Sequence, residues 1–272
     1  MLFFPNAKIN LGLHILNRRN DGYHDIETLM LPIGLCDALE FIPSSVTKLT
    51  YSGIKMDISP ELDLCMKAYH VLASEFSIPE ISIHLHKAIP TGAGLGGGSS
   101  DAAFMLKSLN SYFNLNLSTE KLIELASTVG SDCPFFINNS PGIVSGKGEI
   151  IEPFSFSLKN FKIFVVHPGI HIDTAWAYSL SNPDSKRPSL RSTIQNQPPE
   201  QWREIIKNDF ENIVFTKYPE IQRIKEKLYS LGAIYASMTG SGSAVYGIFE
   251  KDISDLDHQF DYFNWQGEFK LS

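Results

Sequence analysis

The stretch Pro-Thr-Gly-Ala-Gly-Leu-Gly-Gly-Gly-Ser-Ser at residues 90–100 restricts the fold more than any other part of the chain. It stands between two segments of different hydrophobic period. Upstream, Ile81, Ile83 and Leu85 alternate with polar residues, which predicts a strand over 81–86. Downstream, Ala102, Ala103, Leu106, Leu109 and Phe113 recur at helical spacing. A chain that runs through bare glycines into a helix start leaves the first N–H groups of that helix free, at the positive end of its dipole. Such a junction is an anion site. Gly92, Gly94, Gly96, Gly97 and Gly98 remove Cβ atoms where backbone must approach a ligand, and Gly240 does so in a later loop. A flexible linker could share this composition, but linkers do not enter an apolar-striped helix through a serine pair.

Two nucleotide motifs must be weighed against this loop. Gly92, Gly94 and Gly97 fit G-x-G-x-x-G, the fingerprint of a dinucleotide-binding crossover. Here, residues 87–90 separate strand from loop, and Asn116-Leu117-Ser118 stands where that motif places an acidic ribose partner. The match is therefore weak. No Gly-Lys-Ser/Thr follows the glycines, so a Walker-type loop is excluded.

The remaining segments predict alternating strands and helices. Ala7, Ile9, Leu11, Leu13 and Ile15 form one face of a strand over 6–16, with Lys8, Asn10 and His14 on the other. Further strands are predicted at 26–33, 38–42, 161–166, 233–238 and 244–249. Helices are predicted at 63–76, from Ser118 to the stop at Gly130, at 200–207 and at 220–231. The polar, proline-bearing segment 181–199 reads as a long surface loop. A boundary near 155 divides the chain into an N-terminal half (1–155) and a C-terminal half (156–272), both mixing strands with helices.

Composition narrows the function. The net charge is −7, with no dense basic run, which argues against a nucleic-acid partner. An anionic substrate must then be gripped by local cations and backbone donors. Cys36, Cys65 and Cys133 are odd in number and lack metal-ligand spacing, so neither a disulfide framework nor a zinc site is expected. The opening residues lack a basic leader, and no apolar run approaches the ~18 residues of a membrane span. A cytoplasmic protein without membrane attachment is the expectation.

Residues 90–103, Pro-Thr-Gly-Ala-Gly-Leu-Gly-Gly-Gly-Ser-Ser-Asp-Ala-Ala, resemble the phosphate-binding motif of the GHMP kinases. Pro-Asn-Ala-Lys-Ile-Asn-Leu at 5–11 resembles their first motif, and Met-Thr-Gly-Ser-Gly-Ser-Ala-Val at 238–245 their third. The three stand in the family order and span most of the chain. Asp21-Gly-Tyr-His24, Gly130-Ser-Asp-Cys-Pro-Phe-Phe136 and His167-Pro-Gly169 resemble a branch that phosphorylates a cytidine-diphosphate-linked polyol in the non-mevalonate route to isoprenoid precursors. The resemblance implies an α/β (α+β) two-domain fold, with an N-terminal half like ribosomal protein S5 domain 2 and a ferredoxin-like C-terminal half. It also implies ATP and Mg²⁺ as cofactors and a small-molecule acceptor, with the protein acting as a monomer or weak homodimer.

Its residue roles carry over position by position. Lys8 and Asp132 become the catalytic pair, with Asp132 as general base. Local pattern alone gives blander readings: a solvated lysine on an exposed strand face, and the N-cap of a short helix. Lys87, Pro90, Gly92, Gly94, Leu95, Gly96, Gly97, Gly98, Ser99 and Ser100 are implied at the ATP. Asn10, Tyr23, His24, Thr174, Tyr178 and Gly240 are implied at the acceptor, with the rings of Tyr23 and Tyr178 flanking the base. No dedicated metal ligands are expected, since Mg²⁺ is held mainly by phosphates and water, with Ser99 the one side chain at hand. A GHMP kinase for another alcohol, and a nucleotide sensor without chemistry, remain as alternatives.

Overall fold

The computed structural model describes residues 1–56, 58–156, 158–251 and 253–270. In chain order its strands are β1 (Leu2–Phe3), β2 (Asn6–Arg18), β3 (His24–Cys36), β4 (Ala38–Pro43), β5 (Lys48–Gly53), β6 (Ile81–Lys87), β7 (Gly142–Gly146), β8 (Ile150–Pro153), β9 (Lys162–His167), β10 (Tyr235–Met238), β11 (Val245–Phe249) and β12 (Phe263–Glu268). Its helices are α1 (Leu64–Glu75), α2 (Gly97–Tyr112), α3 (Thr119–Val129), α4 (Cys133–Asn138), α5 (Thr174–Ser179), α6 (Leu190–Asn196), α7 (Trp202–Ile205), α8 (Glu211–Lys217) and α9 (Pro219–Ser230).

These elements form two compact units that interleave along the chain. The first comprises residues 1–7, 35–91 and 96–140; the second comprises 8–34, 92–95 and 141–272. The proposed domain boundary at 155 falls inside the second unit.

In the first unit the strands form a sheet ordered β1-β4-β6-β5, and Tyr112 at the end of α2 meets Phe41 of β4 edge-on. β6 alternates as its sequence requires: Ile81, Ile83 and Leu85 are buried, whereas His84 and His86 are exposed. α1 begins at Asp63, whose carboxylate accepts from the Cys65 N–H at 2.7 Å and from the Tyr51 hydroxyl at 3.1 Å. α1 packs on α2 and α3, and α4 packs on α2 and α3. The predicted serine cap is present: the Ser118 side chain accepts from the Lys121 N–H.

The second unit holds two sheets, β2-β3-β7-β8 and β10-β11-β9-β12. Leu13, Ile15 and Ile26 share one core with Phe164, Val166, Ile221, Ile224, Leu228 and Val245. The N-terminal strands therefore help to build the core of the C-terminal elements. Residues 6–15 of β2 are buried on both faces, and Lys8 is only 3% exposed. The expected exposed face of that strand is absent, because both sides of β2 are covered.

The structure corrects two other expectations. Segment 181–199 is not a loop throughout, because it contains α6. The Ser189 side chain caps the Ser192 N–H, Leu190 and Ile194 are buried one turn apart, and the Glu27 carboxylate accepts from the Leu190 N–H at 2.7 Å. The helix expected over 200–207 shortens to the single turn of α7 after a 3₁₀ turn at Pro199–Gln201.

Candidate active site

The expected site residues divide between the units. Lys87, Pro90, Gly96, Gly97, Gly98, Ser99, Ser100 and Asp132 belong to the first; Lys8, Asn10, Tyr23, His24, Gly92, Gly94, Leu95, Thr174, Tyr178 and Gly240 belong to the second.

In the first unit, α2 starts from Gly96, which is left-handed at φ 71° and provides no side-chain cap. A first turn without a cap leaves its N–H groups to a ligand, and over a 16-residue helix the dipole adds to them. The cradle is tight from beneath: a Cβ on Gly97 would lie 2.8 Å from the Ile89 side chain. Ser100 is buried, and its Oγ has no hydrogen-bond partner. A free first turn and an orphaned hydroxyl suit a bound phosphate chain.

Asp132 lies close to this turn. It precedes α4 at the N-cap position, yet its side chain makes no capping hydrogen bond. A Cβ on Gly130, two residues earlier, would lie 3.2 Å from Cys133 Sγ and 3.9 Å from Ser99 Oγ. The structure thus brings the segment carrying Asp132 beside the start of α2. The bland capping role is not the one its carboxylate fills.

Lys87 sits beneath the loop, 1% exposed. Its ammonium is paired with Asp37 and, at 2.7 Å, with Asp101. Asp37 also accepts from the N–H groups of Ala88 and Ile89, at 2.6 and 2.8 Å. Burial opposes the charge on Lys87, but attraction to Asp101 and Asp37 outweighs it and raises its pKa. Burial pushes the Asp101 carboxyl well up, against the pull of Lys87. This cluster ties the end of β6 to α2 at Asp101, just past its first turn.

In the second unit, Lys8 Nζ donates to Asn10 Oδ1 at 2.6 Å and to the Gly94 carbonyl at 3.1 Å. Asn10 Nδ2 donates to Thr28 Oγ1 at 3.1 Å, which turns the amide oxygen of Asn10 toward the lysine. Loop residues 92–95 are sewn into this unit: the Lys8 N–H donates to Leu95 O and the Ala244 N–H to Ala93 O. A Cβ on Gly92 would lie 3.0 Å from the His171 ring.

The acceptor-side residues gather in part. The His24 and Tyr178 rings stack with centroids 5.0 Å apart, and Tyr178 meets Phe210 edge-on. Tyr23 is 60% exposed, and the Lys147 ammonium lies 4.8 Å from its ring centroid. Burial, and then Arg18, lower the pKa of His24, which favours a neutral ring able to accept or donate at a base edge. Thr174 Oγ1 lies 2.8 Å from Ser241 Oγ, so α5 meets the loop after β10. Gly240 is held there by Asn208, whose Nδ2 donates to the Met238 and Gly240 carbonyls, both at 2.8 Å.

Sequence reasoning missed Thr28, Asp37, Asp101, Lys147, Asn208 and Thr239. Only Asp101 and Thr239 lay within quoted motifs, and nothing local distinguished the others. A groove of about 1010 Å³ opens in the second unit around His14, Arg187, Asp209 and Lys225, but none of the expected site residues lines it. Among the described residues no group of three or more His, Cys, Asp or Glu side chains could hold a metal ion. No helix among them is long and apolar enough to cross a membrane.

Residues 63–140 match the GHMP kinases N terminal domain, and residues 190–258 match the GHMP kinases C terminal domain. The chain is 52% identical over 252 residues, 92% of its own length and 94% of the other's, to a 4-diphosphocytidyl-2-C-methyl-D-erythritol kinase of Azobacteroides pseudotrichonymphae. It is 47% identical to the kinase of that name from Parabacteroides distasonis, covering 98% of this chain and 99% of that one. A crystal structure of a 4-(cytidine 5'-diphospho)-2C-methyl-D-erythritol kinase superposes with a TM-score of 0.82 at 30% identity, over 99% of both chains. A mevalonate kinase structure, 14% identical, shares the fold with a TM-score of 0.74.

Proposed function

Because the chain belongs to the GHMP kinases, and among them to the 4-diphosphocytidyl-2-C-methyl-D-erythritol kinases, we propose that it transfers the γ-phosphoryl group of ATP to the 2-hydroxyl of 4-diphosphocytidyl-2-C-methyl-D-erythritol. The reaction belongs to the non-mevalonate route to isoprenoid precursors. The observation that carries this reading is the near-full-length identity to relatives of that name, 52% over 92% of the chain. The enzyme acts in the cytoplasm as a monomer or weak homodimer, without nucleic acid.

The phosphates of ATP lie against the free first turn of α2 and the glycines before it. Lys87 serves them indirectly, by bracing α2 through Asp101, just past that turn, and the loop's root through Asp37. Mg²⁺, when bound, neutralises phosphate charge, held by phosphate oxygens and water with Ser99 as the nearby hydroxyl. Tyr23, Tyr178 and His24 take the cytosine, with stacking worth ~1–3 kcal/mol per base. Asn10, Thr174 and Gly240 orient the polyol.

Asp132 accepts the proton of the attacking hydroxyl as the oxygen–phosphorus bond forms and ADP leaves. A carboxylate is a weak base toward an alcohol. The transition state of phosphoryl transfer is loose, however, so positioning and late proton removal suffice. Lys8 supplies the positive charge that orients the attacking hydroxyl.

Asp132→Asn should leave ATP affinity nearly intact and lower kcat by at least ~100-fold, the low end of acid–base contributions. Near-normal turnover would remove Asp132 from this role. The acceptor is tested by ADP release across a panel of alcohols. Selective turnover of the cytidine-diphosphate polyol supports the reading, turnover of another alcohol redirects it within the family, and no turnover leaves a nucleotide sensor.

A further inference from the structure

Thr239 is fully buried, and its hydroxyl reaches the same two oxygens that hold Lys8. Thr239 Oγ1 lies 3.0 Å from the Gly94 carbonyl and 3.3 Å from Asn10 Oδ1. These are the acceptors of Lys8 Nζ, at 3.1 and 2.6 Å. The hydroxyl also accepts from the Asn10 backbone N–H at 3.0 Å. One hydroxyl therefore joins strand β2, the glycine loop and the loop after β10. Its own backbone is fixed on both sides: the Thr239 N–H donates to Ala244 O, and Thr239 O accepts from the Gly242 N–H.

We propose that Thr239 is a positioning residue for phosphoryl transfer, setting the place of the Lys8 ammonium through the Gly94 carbonyl and the Asn10 amide. The inference rests on the reading of Lys8 as part of the catalytic pair. A hydroxyl has one proton and can fully satisfy only one of the two oxygens at a time. Its donation to Gly94 O fixes where that carbonyl meets the lysine, while the Asn10 N–H fixes the hydroxyl in turn. Without it, the Gly94 carbonyl and the Asn10 N–H both lose a buried partner, and the glycine loop loses its side-chain tie to β10–β11. The loss falls on the two oxygens that also accept from the Lys8 ammonium, so it re-aims that ammonium.

The test compares Thr239→Val, isosteric without the hydroxyl, with Thr239→Ser, which keeps it. Thr239→Val should lower kcat at least ~10-fold, with KM for the alcohol changed less than ~3-fold, because small misplacements at a reacting centre are costly. Thr239→Ser should keep at least about a third of kcat, as the hydroxyl remains. The second readout is the side-chain ammonium NMR signal of Lys8, identified by its loss in Lys8→Met. It should shift in Thr239→Val and stay in Thr239→Ser. A near-normal kcat in Thr239→Val, equal losses in the two variants, or an unmoved Lys8 signal would each overturn the inference. Thr239→Ala is the second hydroxyl-free variant. If it and Thr239→Val both unfold while Thr239→Ser folds, the hydroxyl is merely structural and the inference fails. Lys8→Met at normal turnover would instead sink the catalytic reading itself, which keeps the two failures apart.

Discussion

Gly94 shows how little room a single position can leave. Its φ is +80°, and a Cβ there would lie 2.1 Å from the Thr239 carbonyl oxygen. Neither that conformation nor that gap admits a side chain. Gly94→Ala should therefore displace the loop and cut kcat/KM by at least ~100-fold while circular dichroism stays native, because the clash is local. Steady-state kinetics with both substrates checks this. Residue roles were only partly legible in the sequence. Alternation marked one face of β2 as apolar but could not say what covers the other, so Lys8 read locally as solvated when it is 3% exposed. Its proposed role came from the motif resemblance. Thr239 was hidden for another reason: its partners Asn10 and Gly94 are 229 and 145 residues away.

Among the elements, the junction of β6 and α2 carries the largest electrostatic stake. Lys87, Asp37 and Asp101 are all buried, and Asp101 Oδ1 has no hydrogen-bond partner. Removing the cation strands two carboxyl groups in a dry interior. Lys87→Met should destabilise the fold by about 3–5 kcal/mol, the usual cost of breaking a buried pair. Urea unfolding measures it, and a loss under 1 kcal/mol would show the cluster to be dispensable. The strand–loop–helix order around this junction was plain in the sequence, because the period changes from two to 3.6 across a glycine run. α6 was not plain. Its seven residues carry only two buried apolar side chains, and part of its start is fixed by Glu27, which is 163 residues from Leu190. β5, β7 and β8 escaped notice for a similar reason: they are short and carry little alternation of their own. The stacked pair His24–Tyr178 was legible only as two residues at one site, not as a contact.

For the molecule as a whole, His14 sets a limit on the acid side. Burial, followed by Arg187, lowers its pKa from 6.5 to about 4. It is 4% exposed, and its Nδ1 has no hydrogen-bond partner. The unfolded chain takes up a proton near 6.5, whereas the folded chain does so only near 4. His14 thus leaves stability unchanged above that window, and stability falls as the pH drops through it. The loss is at most about 3 kcal/mol by proton linkage. Urea titrations from pH 7 to 4 should show this slope, reduced in His14→Asn. An equal slope in the variant would assign it to other groups.

The compact units are braided along the chain: most of β2, most of β3 and residues 92–95 belong with the C-terminal elements. No single cut in the polypeptide yields a tail with its whole interior, since Leu13, Ile15 and Ile26 would stay behind. Chimeras that exchange C-terminal halves between relatives at one crossover point therefore mix parts that were shaped against different neighbours. A productive exchange has to carry the early strands along with the tail, so recombination among such enzymes is most permissive where substitutions arrive in matched, distant pairs.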